Sequence, residues 1–174
     1  MDIRQSRSDE RDAIKALHLD AFGEEEAAEV AQLAYDLVSL DTTPPVLSLV
    51  AREGDRLLGN VIFSPVHVAG SAPGTVYILS PLAVATSAQR GGIGSALMRE
   101  GFKVLETQGV QLVMVLGDPR YYTRAGFATG HSIKAPYEIP YPEAWLAREI
   151  TPGAWSVVAG TAVCVEPLQS PDLW

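Results

Sequence analysis

Leu79-Ser80-Pro81-Leu82-Ala83-Val84 is followed, after Ala85 to Ala88, by Gln89-Arg90-Gly91-Gly92-Ile93-Gly94-Ser95. The first half reads as the end of a buried strand interrupted by Pro81. A proline cannot donate to a sheet ladder, so this one predicts a bulge or a place where neighbouring strands part. The second half is a glycine cluster opening a helix. Glycines let a backbone approach a ligand without Cβ interference. The unpaired N–H groups and positive dipole end of a helix start suit a phosphate, and Arg90 adds a cation beside them. Gly91 and Gly92 would serve a sharp strand-to-helix turn in any case, but three glycines within four residues exceed what a turn needs.

Outward from this stretch, apolar spacing predicts a strand over Thr75 to Val84, a helix over Gly92 to Gln108 and a strand over Gln111 to Leu116. Ile93, Leu97, Val104 and Leu105 face inward and Gly109 caps the helix. Strand–helix–strand connectivity of this length implies a parallel pair. Upstream, Val46 to Arg52 and Arg56 to Val68 form a meander around the Gly54-Asp55 turn. Asp2 to Gln5 opens the chain as a strand. Ser8 is expected to cap a helix reaching Phe22, and a second helix covers Glu24 to Leu40, ended by Pro44 and Pro45. Its apolar stripe is Ala27, Val30, Ala31, Ala34, Leu37 and Val38. Downstream, a short helix covers Arg120 to Arg124 and ends at Gly126. A strand begins at Phe127, a brief helix lies within Pro140 to Glu149, and a last strand covers Trp155 to Val165. The class is α+β with a mixed sheet, and 174 residues suit a single domain over 1–174.

Hydrophobic residues make up 47% and charged residues 20%, which excludes a disordered chain. The only cysteine, Cys164, lies between Val163 and Val165 and reads as a small buried hydrophobe, so disulfides and cysteine zinc clusters are excluded. A polar start and the lack of any apolar run of about 20 residues speak against a secretory leader or membrane span, and the chain reads as cytoplasmic. The formal charge is −8. Residues 1–41 hold four basic and eleven acidic side chains, while the remainder is nearly balanced. No basic stripe is available to grip nucleic acid. The N-terminal acidity suits either a cationic substrate or a solvated helix face.

Two phosphate motifs fail here. No lysine follows the glycines, so a P-loop is excluded. The dinucleotide pattern finds Gly92 and Gly94 but Leu97 in the third place, and further βαβ units are missing, which counts against a nicotinamide-dependent oxidoreductase. The spacing Gln89-x-x-Gly92-x-Gly94 after Leu82-Ala83-Val84 instead resembles the GNAT superfamily of N-acetyltransferases. A second landmark, Tyr121-Tyr122-Thr123-Arg124-Ala125-Gly126-Phe127, resembles that family's Tyr-x-x-x-Gly-Phe element. The resemblance spans about residues 1–135, and the run Leu116 to Tyr122 with the segment from Ala135 to Ala144 is similar to its YhbS-like subgroup.

That resemblance implies a mostly antiparallel central sheet splayed at a bulged fourth strand, with helices on both faces. Residues 136–174 would complete the sheet and the acceptor side. It implies acetyl-coenzyme A as acyl donor, no metal, and a primary amine of a small molecule or protein as acceptor, with monomer and dimer both open. The pantetheine arm would lie along Leu82, Ala83 and Val84, and backbone N–H groups from Arg90 through Gly91, Gly92 and Gly94 to Ser95 would cradle the pyrophosphate beside Gln89. The Val84 N–H would donate to the thioester carbonyl, and Tyr122 would protonate the departing thiolate. Some members carry a glutamate where Ser80 stands here, and a serine is no direct base at neutral pH. Glu24, Glu25, Glu26, His67, His131 and a water chain are the alternatives. Asp118 stands where many members bond pantetheine through an asparagine, but Asp118-Pro119 also suits a helix cap. Ser80 in place of an acid also keeps open a non-catalytic acyl-coenzyme A sensor.

Overall fold

The computed structural model describes residues 1–174, and the chain forms two compact units, each drawn from two stretches of sequence. One comprises Met1–Phe63 and Ser80–Gly101, the other Ser64–Leu79 and Phe102–Trp174.

In the first unit, β1 (Asp2–Gln5) pairs antiparallel with β2 (Leu47–Glu53), and β2 with the first part of β3 (Arg56–Val68). The last residues of β4 (Val76–Val84) continue the sheet on β3, where the Ala85 N–H donates to Leu58 O at 2.8 Å. Helices α1 (Arg11–Ala21) and α2 (Glu24–Val38) pack on each other. They bury Ile14, Leu17 and His18 from α1, and Ala27, Ala31, Leu33, Ala34 and Leu37 from α2; Val30 and Val38 stay half-buried. Ser8 caps nothing. Residues Ser8–Glu10 form a single 3-10 turn, and the Glu10 carboxylate reaches back to accept from the Arg7 N–H at 2.8 Å. Glu10 also pairs with Arg4 and Arg52, each at 2.6 Å. The Arg4 guanidinium, with Arg7 and Arg52, holds this buried carboxyl down at about 2.

The N-terminal part of α3 (Ile93–Thr107) lies close against β3 because Gly59 offers no Cβ. One added there would meet Ile93 Cγ2 and Leu97 Cδ1, both at 2.9 Å. Gly101 plays the same part against the ring of Phe63, which is fully buried. Helix propensity favours alanine over glycine by about 1 kcal/mol, but overpacking a core that cannot yield costs about 1–3 kcal/mol. Gly101→Ala is therefore expected to lower the melting temperature by several degrees in a thermal melt; an unchanged value would mean that the Phe63 ring gives way.

In the second unit, the first residues of β4 run parallel to β5 (Leu112–Leu116), as the strand–helix–strand reading predicts. That ladder holds three pairs and stops at Ile78↔Met114, although β5 runs on to Leu116. The proline-bearing end of β4 thus lies beyond the ladder. Three short elements differ from expectation. Phe127 does not begin a strand: it is followed by a single bridge, Ala128↔Ala147, and the next strand is β6 (Ser132–Lys134). The segment read as a brief helix is a 3-10 turn at Pro142–Ala144 followed by β7 (Trp145–Glu149), antiparallel to β5. The last strand begins late: Ala154–Val157 is a helical turn, and the strand, β8 (Ala159–Val163), pairs with β6 and with the end of β3 at His67 and Val68.

The fold is α+β, a mixed and mostly antiparallel sheet with helices flanking it, and β4–β5 and β6–β8 as parallel pairings. Cys164 is buried, which pushes its thiol up to about 12. No helix is long and apolar enough to cross a membrane.

Candidate active site

The residues singled out around the glycine cluster all lie in the first unit. Along the end of β4, Pro81 and Ala83 are buried, whereas Ser80, Leu82 and Val84 are half-exposed. Backbone N–H groups alternate between the two edges of a strand. Since Ala85 donates to Leu58, the Val84 N–H is directed to the edge away from β3. On that residue the carbonyl is already occupied, because Gln89 Nε2 donates to Val84 O at 3.1 Å. Gln89 thus ties the two ends of the β4–α3 connection together.

Between them, Thr86–Ala88 form a 3-10 turn closed by the Ala88 N–H on Ala85 O at 2.8 Å. The chain then enters a left-handed stretch: Arg90 has φ +65° and Gly92 φ +81°. A non-glycine residue in this region is uncommon and strained, and such strain collects at functional turns. Gly92 is glycine for conformational reasons. Gly91 is not, since a Cβ there would meet only Ala88 O, at 3.4 Å. Its absence leaves the backbone bare on the approach to the helix. The Ala96 N–H makes the first helical bond, to Gly92 O at 3.0 Å, so the N–H groups of Ile93, Gly94 and Ser95 precede the ladder. The site therefore offers a turn of bare backbone, the positive end of a fifteen-residue helix and the exposed Arg90 side chain.

Tyr122 belongs to the second unit, at the end of α4 (Pro119–Tyr122). Its ring stands edge-on to Phe127 at 5.7 Å and to Tyr121 at 5.0 Å, and occupies the space a Cβ on Gly117 would take. Burial, with Tyr121 beside it, pushes its hydroxyl well above the usual tyrosine range. Asp118 is the cap of α4: its Oδ1 accepts from the Arg120 N–H at 2.9 Å, with Pro119 in the first helical position.

The base candidates fare unequally. Both ring nitrogens of His131 are engaged, Nδ1 accepting from the Ile133 N–H at 3.2 Å and Nε2 lying 2.9 Å from Trp145 O. His67 is exposed on β3, and Glu24, Glu25 and Glu26 are exposed in the first turn of α2. The third histidine, His18, was not among the expected residues. It is fully buried on α1, 2.9 Å from Asn60 Oδ1, while Asn60 Nδ2 donates to Ser48 Oγ and Leu49 O. Asn60 Oδ1 is therefore the acceptor, His18 carries its proton on Nε2, and Nδ1 is buried without a partner. Burial lowers the His18 pKa to about 4. The signal was present: His18 falls four residues after Ile14 on the apolar stripe, and Asn60 interrupts an apolar strand.

Comparison with known proteins decides the family. A model of the acetyltransferase (GNAT) domain matches residues 2–130. The chain belongs to the GNAT family. As a GNAT chain it is an acyltransferase. The uncharacterized N-acetyltransferase YjhQ of Escherichia coli K12 is 34% identical over 167 residues, 92% of this chain and 90% of that protein. The crystal structure of E. coli YhbS in complex with coenzyme A superposes with TM-score 0.85 at 27% identity, covering 97% of this chain and 91% of YhbS. A GNAT acetyltransferase from Brucella melitensis in complex with acetyl-coenzyme A gives TM-score 0.74 at 26% identity, over 95% of this chain and 96% of that one. The end of β4 and the turn before α3 both fall within the span that the GNAT domain model covers.

Proposed function

We propose that this GNAT chain transfers an acetyl group from acetyl-coenzyme A directly to a primary amine of a small molecule or protein, in a ternary complex and without a covalent enzyme intermediate. The observation that carries the reading is the segment from Val84 to Ser95: a strand-edge N–H directed away from β3, then a left-handed turn leading into a helix N-terminus. This is what a thioester joined to a pyrophosphate requires of a backbone, and relatives of similar fold were crystallised with coenzyme A and acetyl-coenzyme A.

In this mechanism the pyrophosphate lies on the N–H groups from Arg90 to Ser95, and the pantetheine pairs along Leu82, Ala83 and Val84. The amine attacks the thioester carbon, the C–N bond forms and the C–S bond breaks. The Val84 N–H donates to the carbonyl oxygen as negative charge gathers there, a contribution of about 3 kcal/mol. We assign to Tyr122, on the resemblance of its Gly126-Phe127 element to the family's, the hydrogen bond to the departing thiolate. A hydroxyl held above the usual tyrosine range stays protonated throughout the neutral range and so remains a donor. The amine loses its proton to water. The acidic first turn of α2 (Glu24, Glu25, Glu26) favours a cationic acceptor by charge.

The test is calorimetric titration with acetyl-coenzyme A, followed by release of free thiol across a panel of amines. Tyr122→Phe is expected to lower kcat about tenfold or more while leaving the Kd for acetyl-coenzyme A unchanged. Native kcat in this variant would remove Tyr122 from the mechanism. No binding of acetyl-coenzyme A to the native chain would remove the whole reading.

A further inference from the structure

The connection from Ala85 to Gln89 is anchored at each residue. Ala85 is held by Leu58 O, Ser87 Oγ by Arg56 Nη2 at 3.1 Å, Ala88 by Ala85 O, and Gln89 by Val84 O. These partners come from the neighbouring strand or from the connection itself. The anchor of Thr86 comes from elsewhere. Asp20, 66 residues away on α1, accepts from the Thr86 N–H at 2.8 Å through Oδ2 and from the Thr86 hydroxyl at 3.0 Å through Oδ1. The 3-10 turn at Thr86–Ala88 has no capping side chain of its own. Asp20 supplies that cap from a helix distant in sequence.

Asp20 also breaks a local rule. It sits in the last turn of α1, where the helix dipole disfavours an acid, whereas Asp12 and Glu24, Glu25 and Glu26 occupy first turns, where acids are favoured. A residue that costs its own helix stability without local return points to a gain elsewhere.

We propose that Asp20 is a positioning residue for the acyl donor: by capping the turn at Thr86 it fixes both the end of β4, with the Val84 N–H, and the start of the left-handed turn at Arg90. The proposal rests on the acetyl-coenzyme A reading above. It also couples the two ends of the reaction within this unit. Only Ala21, Phe22 and Gly23 separate Asp20 from the acidic first turn of α2, so the segment assigned to the acceptor and the connection assigned to the donor share one anchor.

Charge and positioning predict opposite results for Asp20→Ala. Acetyl-coenzyme A is a polyanion, so removing a carboxylate tightens its binding if charge alone matters. Removing an anchor weakens it. Calorimetric titration with acetyl-coenzyme A is expected to show about tenfold weaker binding for Asp20→Ala, with far-UV circular dichroism unchanged. Asp12→Ala, the same charge change on the same helix, is expected to bind as the native chain does or slightly tighter. Thr86→Val, which keeps the N–H and loses the hydroxyl, should fall between. In the double variant Asp20→Ala/Thr86→Val the loss should match that of Asp20→Ala alone, because the two side chains act through one contact. Binding by Asp20→Ala within twofold of native, or tighter, overturns the proposal even if its melting temperature falls, because the contact would then be structural only. Additive losses in the double variant overturn it as well. A native chain that does not bind acetyl-coenzyme A removes the underlying reading and this proposal together, whereas native binding with an indifferent Asp20→Ala removes this proposal alone.

Discussion

Glutamate at both Gly92 and Gly94 is expected to abolish acetyl-coenzyme A binding, weakening it by more than about a hundredfold in calorimetric titration. Three effects add. Gly92 adopts φ +81°, which costs a side-chain-bearing residue about 1–2 kcal/mol. A carboxylate at either position brings its charge to the N–H groups that the pyrophosphate would use, and anion repels anion across a short distance. Gly94 is buried in the first turn of α3, so a side chain there also takes space at the helix start. The helix itself has reason to survive, because acids in a first turn are favoured by the dipole. Loss of binding with an intact circular dichroism spectrum would therefore locate the donor site at this turn. Native affinity in the double variant would place it elsewhere.

The second large effect concerns pH. His18 has an ordinary pKa of 6.5 when exposed and about 4 in the fold, where burial disfavours its charged form. Between those values the unfolded chain binds more protons than the folded one, so stability falls as the pH falls. The loss should be close to 2 kcal/mol at pH 5 and about 3 kcal/mol once the pH is below 4. Denaturant midpoints measured from pH 7 down to 4 test this. His18→Gln keeps a donor for Asn60 Oδ1 and removes the titration, so its midpoint should be nearly flat above pH 4.5. Below about 4.5 a second loss begins in both proteins, because the unfolded chain takes up a proton at Glu10 while the folded chain, where Arg4, Arg7 and Arg52 hold that carboxyl at about 2, does not. A native profile as flat as that of His18→Gln would show that His18 is not neutral and buried in solution.

The parts of the fold legible in the sequence were those whose pattern is local. The meander from Val46 to Val68 carries its own turn at Gly54-Asp55, and Pro81 announces the end of the parallel ladder because a missing N–H is a property of one residue. Gly126, at φ +88°, closes the turn after Tyr122 as its position in the sequence implies. The misread elements are those that a distant partner decides. Trp145–Glu149 has the length and mixture of a helical turn, and it is a strand because β5 offers five paired positions from Leu112 to Leu116. Ser8 loses the cap to Glu10 because Arg4 and Arg52, the latter 42 residues away, draw that carboxylate to the turn. The same holds for the site. Gly92 and Gly94 were legible as residue types, but the left-handed backbone of Arg90 was not, and neither was the Asp20–Thr86 contact across 66 residues.

The aromatic residues bring a consequence for spectroscopy. All three tryptophans, Trp145, Trp155 and Trp174, belong to the second unit, where Trp145 stacks edge-on with Trp174 at 5.5 Å and His131 stands against both Trp145 and Trp155. Indole emission is thus a one-sided reporter. It follows the environment of the second unit, and heat of binding or a tryptophan introduced near Ser95 would report on the first unit directly.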